Sequence, residues 1–283
     1  MILNGYLRML KHQEINPVKY FLVLASYQNE FPVKKETEVP IKTSEYDLTT
    51  FLNKKLTISF QKSIRCLHCA SLTKKSYNQG YCYPCFIRLA KNDMCILKPE
   101  TCHYHKGTCR EPEWGKENCF RQHTVYLANT SGIKVGITKE NPITKRWVDQ
   151  GAVEALAVIK TENRLDAGIL ENELKKYIAD KTSWQKMVST QPEPIDLKKH
   201  KYELLEKLKN LKTTYTIEKD EKLTNIYYPI EKYPSKKISY KLKESLPIED
   251  VLVGIKGQYL LFEKGVLNIR SHAGYLCGIE ISD

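Results

Sequence analysis

The sequence predicts an α+β protein, and three observations predict it. Apolar residues alternate or cluster at strand length near both ends of the chain. A β-β-α-β-α run follows His123. Between these regions, eight of the nine cysteines fall within residues 66–119, where apolar periodicity is weak. At 283 residues the chain is long enough for two cores, and 41% hydrophobic with 28% charged residues is an ordinary globular composition. No window approaches the roughly 18 consecutive apolar residues of a membrane span. The run from Met1 to Met9 lacks the basic start and long apolar stretch of a secretory signal, which makes the cytosol the expected compartment.

Residues 1–62 form an N-terminal β segment. Gly5–Leu10 and Tyr20–Leu24 read as strands on either side of Pro17, the polar stretch 28–50 reads as loop, and Leu56–Phe60 reads as a strand. Residues 63–122 are a cysteine-rich region organised by metal rather than by an apolar core. Residues 123–190 carry the compact run. Val125–Ala128 and Ile133–Ile137 flank turn residues, as in a hairpin. Asn141-Pro142 starts a short helix that Gly151 stops. Ala155–Ile159 is a strand, and Leu165, Ile169, Leu170, Leu174, Tyr177 and Ile178 mark a helix. Residues 191–245 hold an amphipathic helix (Leu197, Leu204, Leu208, Leu211) and a lysine-rich linker. Residues 246–283 return to strands that pair with the N-terminal segment in a discontinuous β domain.

The cysteine spacing carries the first chemical signal. Cys66-x-x-Cys69 and Cys82-x-x-Cys85 are separated by twelve residues. A CxxC turn aims two thiolates at one ion about 2.3 Å away, and two such turns complete the tetrahedron of a zinc ribbon. Disulfides are the competing reading, which a cytosolic setting disfavours. Cys95, Cys102, Cys109 and Cys119 follow with six, six and nine residues between them. They form a candidate second Zn²⁺ site, either all-cysteine or with one of His103, His105 and His123 replacing a cysteine. Complete four-ligand sets leave no open position, so both sites read as structural. Cys277 reads as a small buried hydrophobe.

The second signal lies in 123–190. Thr124-Val125-Tyr126, Lys134-Val135-Gly136, Arg146, and Ala167-Gly168-Ile169-Leu170-Glu171 stand in the order of the motifs of the GIY-YIG nuclease superfamily, which this stretch resembles. The resemblance implies that Tyr126 helps take the proton from an attacking water. It also implies that Arg146 steadies charge on phosphate and that Glu171 holds Mg²⁺. Lys134 stands where the nucleases have the first tyrosine of YIG. Phosphoryl transfer needs a cationic stabiliser, a divalent ion and a positioned nucleophile, so these residue types suit it. Their plain readings are a packing tyrosine, an arginine stacked on Trp147 and a helix carboxylate at the edge of an apolar stripe. Glu173 lies nearer the middle of that stripe. Residues 79–85, 134–138, 146–152 and 254–260 are similar to a bacterial family of unknown activity.

The formal charge of +12, from 45 Lys plus Arg against 33 Asp plus Glu, suits a polyanionic partner. It equally suits a lysine-rich soluble chain, because the lysines of 198–243 are mixed with glutamates. Three readings therefore stand: a Mg²⁺-dependent nuclease of DNA or RNA, a nucleic-acid-binding module in which Lys134 and Arg146 hold phosphates without cleavage, and a zinc-ribbon scaffold for a protein partner.

Overall fold

The computed structural model describes residues 1–14, 16–27, 41–139, 143–178, 183–236, 238–244 and 246–282. It comprises two compact units: Met1–Ile87 with Tyr227–Asp283, and Arg88–Ile226. The chain begins with β1 (Ile2–Leu7), β2 (Lys11–Gln13), β3 (Lys19–Ser26), β4 (Lys42–Asp47), β5 (Lys55–Ile64) and α1 (Tyr83–Arg88). Next come α2 (Pro112–Cys119), β6 (His123–Asn129), β7 (Ile133–Lys139), α3 (Ile143–Asp149), β8 (Glu154–Thr161), α4 (Arg164–Leu174), α5 (Trp184–Met187), α6 (Leu197–Leu208), β9 (Thr216–Ile217) and β10 (Thr224–Asn225). The last elements are β11 (Ile238–Ser239), β12 (Ile248–Lys256), β13 (Tyr259–Phe262), β14 (Gly265–Asn268) and β15 (Tyr275–Ser282). The class is α+β. Among the described residues, no helix is long and apolar enough to cross a membrane.

The first unit is built on a ten-stranded sheet ordered β11-β14-β13-β12-β5-β15-β1-β3-β2, with β4 also on β3. Its centre joins the two ends of the chain: Ile279 of β15 lies opposite Leu3 of β1 on one side and Ile58 of β5 on the other. All three are buried, which fixes the register, because a one-residue slip would turn each apolar side chain to the opposite face. The polar stretch 28–50 departs from the loop expected of it. Its part 28–40 lies outside the described residues, but Lys42–Asp47 pairs along β3 over six residues. Lys-Thr-Ser-Glu carries no apolar signal because an exposed edge strand is held by its backbone.

In the second unit the sheet order is β10-β8-β6-β7, with β9 on β8. Every residue of the central strand β6 is buried. Val125, Leu127, Val135, Leu156 and Val158 form one core with residues of α4 and α6. Asn163 Oδ1 caps α4 by accepting from the Asp166 amide at 2.9 Å, and Asp196 does the same for α6. The helix expected at 142–150 is observed at Ile143–Asp149, ending at Gly151 in the left-handed region (φ 72°). Asn141 and Pro142 lie outside the described residues.

One buried charge stands out in the first unit. Lys256 is fully buried, with its Nζ 5.5 Å from the ring centre of Tyr228 and 5.9 Å from that of Tyr233. Among the described residues no hydrogen-bond partner reaches this Nζ, and the rings supply compensation. Burial pulls the amine from its usual 10.5 down to about 8. Between those values the unfolded chain holds more protons than the folded one, so this group makes stability rise with pH across the window. Lys256→Met should raise the thermal midpoint at neutral pH and remove that rise, as circular-dichroism melts at a series of pH values will read.

Candidate metal centre and a tyrosine–arginine–glutamate cluster

The chain leaves β5 at Ile64 and turns at once into the first cysteine pair. The Ala70 amide donates to the Cys66 carbonyl at 3.0 Å, and Ala70 itself takes a left-handed backbone (φ 58°), folding residues 66–70 into a tight knuckle. The second pair straddles the start of α1, whose Phe86 amide donates to the Cys82 carbonyl at 2.9 Å. The knuckles are joined by the Leu67 amide donating to the Gly80 carbonyl at 2.7 Å. Gly80 is required there: its φ is 134°, and a Cβ would come within 2.3 Å of the Leu67 side chain.

These turns bring all four sulphurs within 4.8 Å of one another, with Cys69 and Cys82 Sγ 3.6 Å apart. Thiolates about 2.3 Å from a tetrahedral Zn²⁺ stand about 3.8 Å from one another, so the four buried cysteines fit such a site. Electrostatics point the same way. The hydrogen bond between Cys66 and Cys69 pushes the first thiol up and pulls the second down to about 4, while burial drives Cys85 up to about 12. A cation among the sulphurs would favour their thiolate forms. Arg65 donates to the Ala70 carbonyl at 2.9 Å and lies over the Tyr6 and Tyr27 rings, placing a fixed positive charge at the edge of the knuckle.

The other four cysteines lie in the second unit. Cys95, Cys102, Cys109 and Cys119 all line one small cavity, as does His103. His105 is exposed. His123 is buried in β6, where its Nδ1 meets the Arg121 carbonyl at 2.7 Å and burial lowers its pKa to about 4. Cys277 is fully buried in β15, with burial raising its thiol to about 12.

In the second sheet, Tyr126 of β6 is fully buried and its ring meets Trp147 of α3 edge-on at 5.8 Å. Its hydroxyl donates to Gln150 Oε1 at 2.6 Å. Burial raises the phenol to about 12, with Arg146 acting against that rise and Glu171 adding to it. Arg146 is close enough to hydrogen-bond the phenol oxygen. Glu171 is buried on α4, with Lys175 Nζ 3.4 Å from its Oε1. Tyr126 and Arg146 are thus neighbours, and Glu171 is near enough for its charge to be felt at the phenol. Lys134, half-buried on β7, lies opposite Ala128, two positions along β6 from Tyr126.

Two features of this cluster differ from the sequence reading. Glu173 had the more central place on the apolar stripe, yet Glu171 is the buried carboxylate, while Glu173 pairs with Lys176 at 2.6 Å. The cause is a second layer: the turn Pro99–Thr101 packs on Gly168, where a Cβ would come within 2.6 Å of Pro99 and Glu100, so the covered arc of α4 extends beyond the sheet. The sequence reading also gave Gln150 no role at the site, although its place four residues after Arg146 puts both on one helix face.

Together these features define a two-unit α+β protein with, in one unit, a knuckle of four cysteines whose spacing fits a zinc site. The chain belongs to the family described as Protein of unknown function (DUF2797), whose model matches residues 53–277. That span contains the knuckle, the cavity cysteines and the Tyr126 cluster. No curated protein and no solved structure matches the chain.

Replacing Cys66 and Cys82 together by serine should abolish zinc binding at the knuckle and lower the thermal midpoint. Acidification of the native protein should release that zinc, because protons compete with the ion for sulphur; metal analysis after gel filtration reads both. Gly136→Ala provides a check on the second cluster. Its Cβ would stand 2.5 Å from the Tyr126 hydroxyl oxygen, so it should cost about 1–3 kcal/mol in denaturant unfolding.

Proposed function

We propose that this is a zinc-containing protein that binds nucleic acid, with the Tyr126–Arg146–Glu171 cluster acting on phosphodiesters in the presence of Mg²⁺. The nearness of these three residues, spread over 45 positions of the chain, carries the reading. It is supported by the resemblance to GIY-YIG nucleases and by the net charge of +12. Zinc at Cys66, Cys69, Cys82 and Cys85 would be structural, since four thiolates complete its shell.

In this reading the Arg146 guanidinium meets the phosphate and offsets the charge that grows on its oxygens. The Glu171 carboxylate would hold the divalent ion, which supplies Lewis acidity and acidifies a bound water. A phenol raised to about 12 stays protonated at neutral pH. Tyr126 therefore serves as a positioning group, donating to Gln150 and accepting from Arg146, rather than as a base.

Two observations favour binding without cleavage. Tyr126 is fully buried with its proton committed to Gln150, and a lysine occupies the second motif position. Lys134 and Arg146 would then hold phosphates as cations alone.

The readings separate in a paired assay. Single- and double-stranded DNA and RNA are incubated with the full chain and Mg²⁺ or Mn²⁺, and affinity is measured against salt. For the nuclease, Arg146→Ala and Glu171→Gln should each lower the cleavage rate at least about 100-fold, with affinity retained in Glu171→Gln. Binding whose salt slope shallows in Lys134→Ala, with no cleavage, selects the second reading. No salt-dependent affinity for any of the four removes both.

A further inference from the structure

The segment Ala90–Lys106 contains four single-turn 3-10 helices in succession: Ala90–Asn92, Met94–Ile96, Pro99–Thr101 and Tyr104–Lys106. Met94 and Leu97 are 60% and 70% exposed, so apolar collapse alone does not set its course. Asp93 caps the turn Met94–Ile96, accepting the Cys95 amide on Oδ1 at 3.4 Å. Its Oδ2 pairs with Arg110 Nε at 2.6 Å, which holds the carboxylate in one orientation. Asp93, Cys95 and His103 line the cavity already described, and their ligand atoms lie within 4.8 Å of one another. Among the described residues, no three of the four cavity cysteines share such a point.

The hydrogen bonds around His103 decide which of its nitrogens is available. Thr108 Oγ1 donates to the His103 carbonyl at 3.3 Å, so it accepts from the ring Nδ1, 2.7 Å away. The proton therefore sits on Nδ1, and Nε2 keeps a lone pair. That lone pair faces Asp93 Oδ1 at 3.6 Å, too long for a hydrogen bond. Ligands about 2.0–2.1 Å from a tetrahedral ion stand about 3.3 Å apart, so a small displacement seats a cation between the two. Carboxylate oxygen, imidazole nitrogen and thiolate sulphur are all zinc donors, whereas a thiolate disfavours Mg²⁺ and Ca²⁺. Arg110 behind the carboxylate and Thr108 behind the imidazole are outer partners of the kind that orient metal ligands.

We infer that Asp93 Oδ1, Cys95 Sγ and His103 Nε2 hold a second, mononuclear Zn²⁺, with a water in its fourth place. The cavity measures about 20 Å³, and a water needs about 10–15 Å³ of such space. Cys102, Cys109 and Cys119 line the same space without entering the shell. Unlike an ion in the four-cysteine knuckle, this one keeps an exchangeable position, the feature that separates reactive zinc from structural zinc. It also clamps a segment with little regular structure of its own, which Arg164 ties to α4 by donating to the Ile96 carbonyl at 2.7 Å. The inference is independent of any action on nucleic acid.

Zinc content of the full chain, purified without chelators, tests this. Two zinc per chain are expected in the wild type, in Cys102→Ala and in Cys109→Ala. One is expected in Cys95→Ala, in His103→Ala and in Cys66→Ser/Cys82→Ser. One zinc in the wild type, two in His103→Ala, or one in Cys102→Ala overturns the assignment. Should a variant fail to fold, Co²⁺ titration of the metal-free wild type decides. Two equivalents should bind with unequal thiolate-to-cobalt absorption, because one site offers a single sulphur and the knuckle four. Saturation at one equivalent, or equal bands from both, overturns it.

Discussion

Four thiols held within 4.8 Å of one another are the constraint on which the first unit's cysteine region depends. Ionised sulphurs at such distances repel, and a cation at their centre would offset that repulsion, so the arrangement fits a metal site. The backbone accepts unusual conformations to produce it, including left-handed Ala70 and the steeply turned Gly80. A β-carbon in the left-handed region is unfavourable, and Ala70 shows the surrounding hydrogen bonds overriding that cost. Backbone hydrogen bonds and these turns, rather than a run of apolar side chains, place the four sulphurs between β5 and α1.

What the sequence reveals follows from how local each interaction is. The CxxC pairs are legible because a knuckle is completed within four residues, and so is the hairpin of β6 and β7, whose strands alternate around a polar turn. The α+β class follows from those local patterns. Strand β4 is not legible, because its partner is backbone and its side chains face water. The identity of the buried carboxylate on α4 is hidden for a related reason. A helical wheel registers the sheet-facing stripe through Leu170 and Leu174 but not the turn Pro99–Thr101 laid over Gly168. Long-range contacts leave no periodic trace.

The same limit applies to Tyr126. Its place on an alternating strand marks it as facing away from Val125 and Leu127, but nothing local says whether that face is wet or covered. Trp147 and Gln150 cover it, and Gly136 leaves room for the ring. The consequence is chemical. A covered phenol with an amide acceptor is a strong positioning group and a weak base, so any proton taken from water at this cluster must go elsewhere.

Two guanidinium groups, Arg65 and Arg164, are placed by one logic, whereas Arg110 at the cavity pairs with the Asp93 carboxylate. Arg65 is tied to the Ala70 carbonyl beside the knuckle, and Arg164 is tied to the Ile96 carbonyl beside the cavity. Each is anchored by a backbone oxygen rather than by a carboxylate, which leaves its charge available to nearby sulphur. A tetrathiolate zinc centre carries two net negative charges, and burying these without compensation would be costly. An arginine held by a neutral acceptor meets that need without introducing another anion. Its fixed fork is suited to the task, whereas a lysine ammonium would present a single mobile charge.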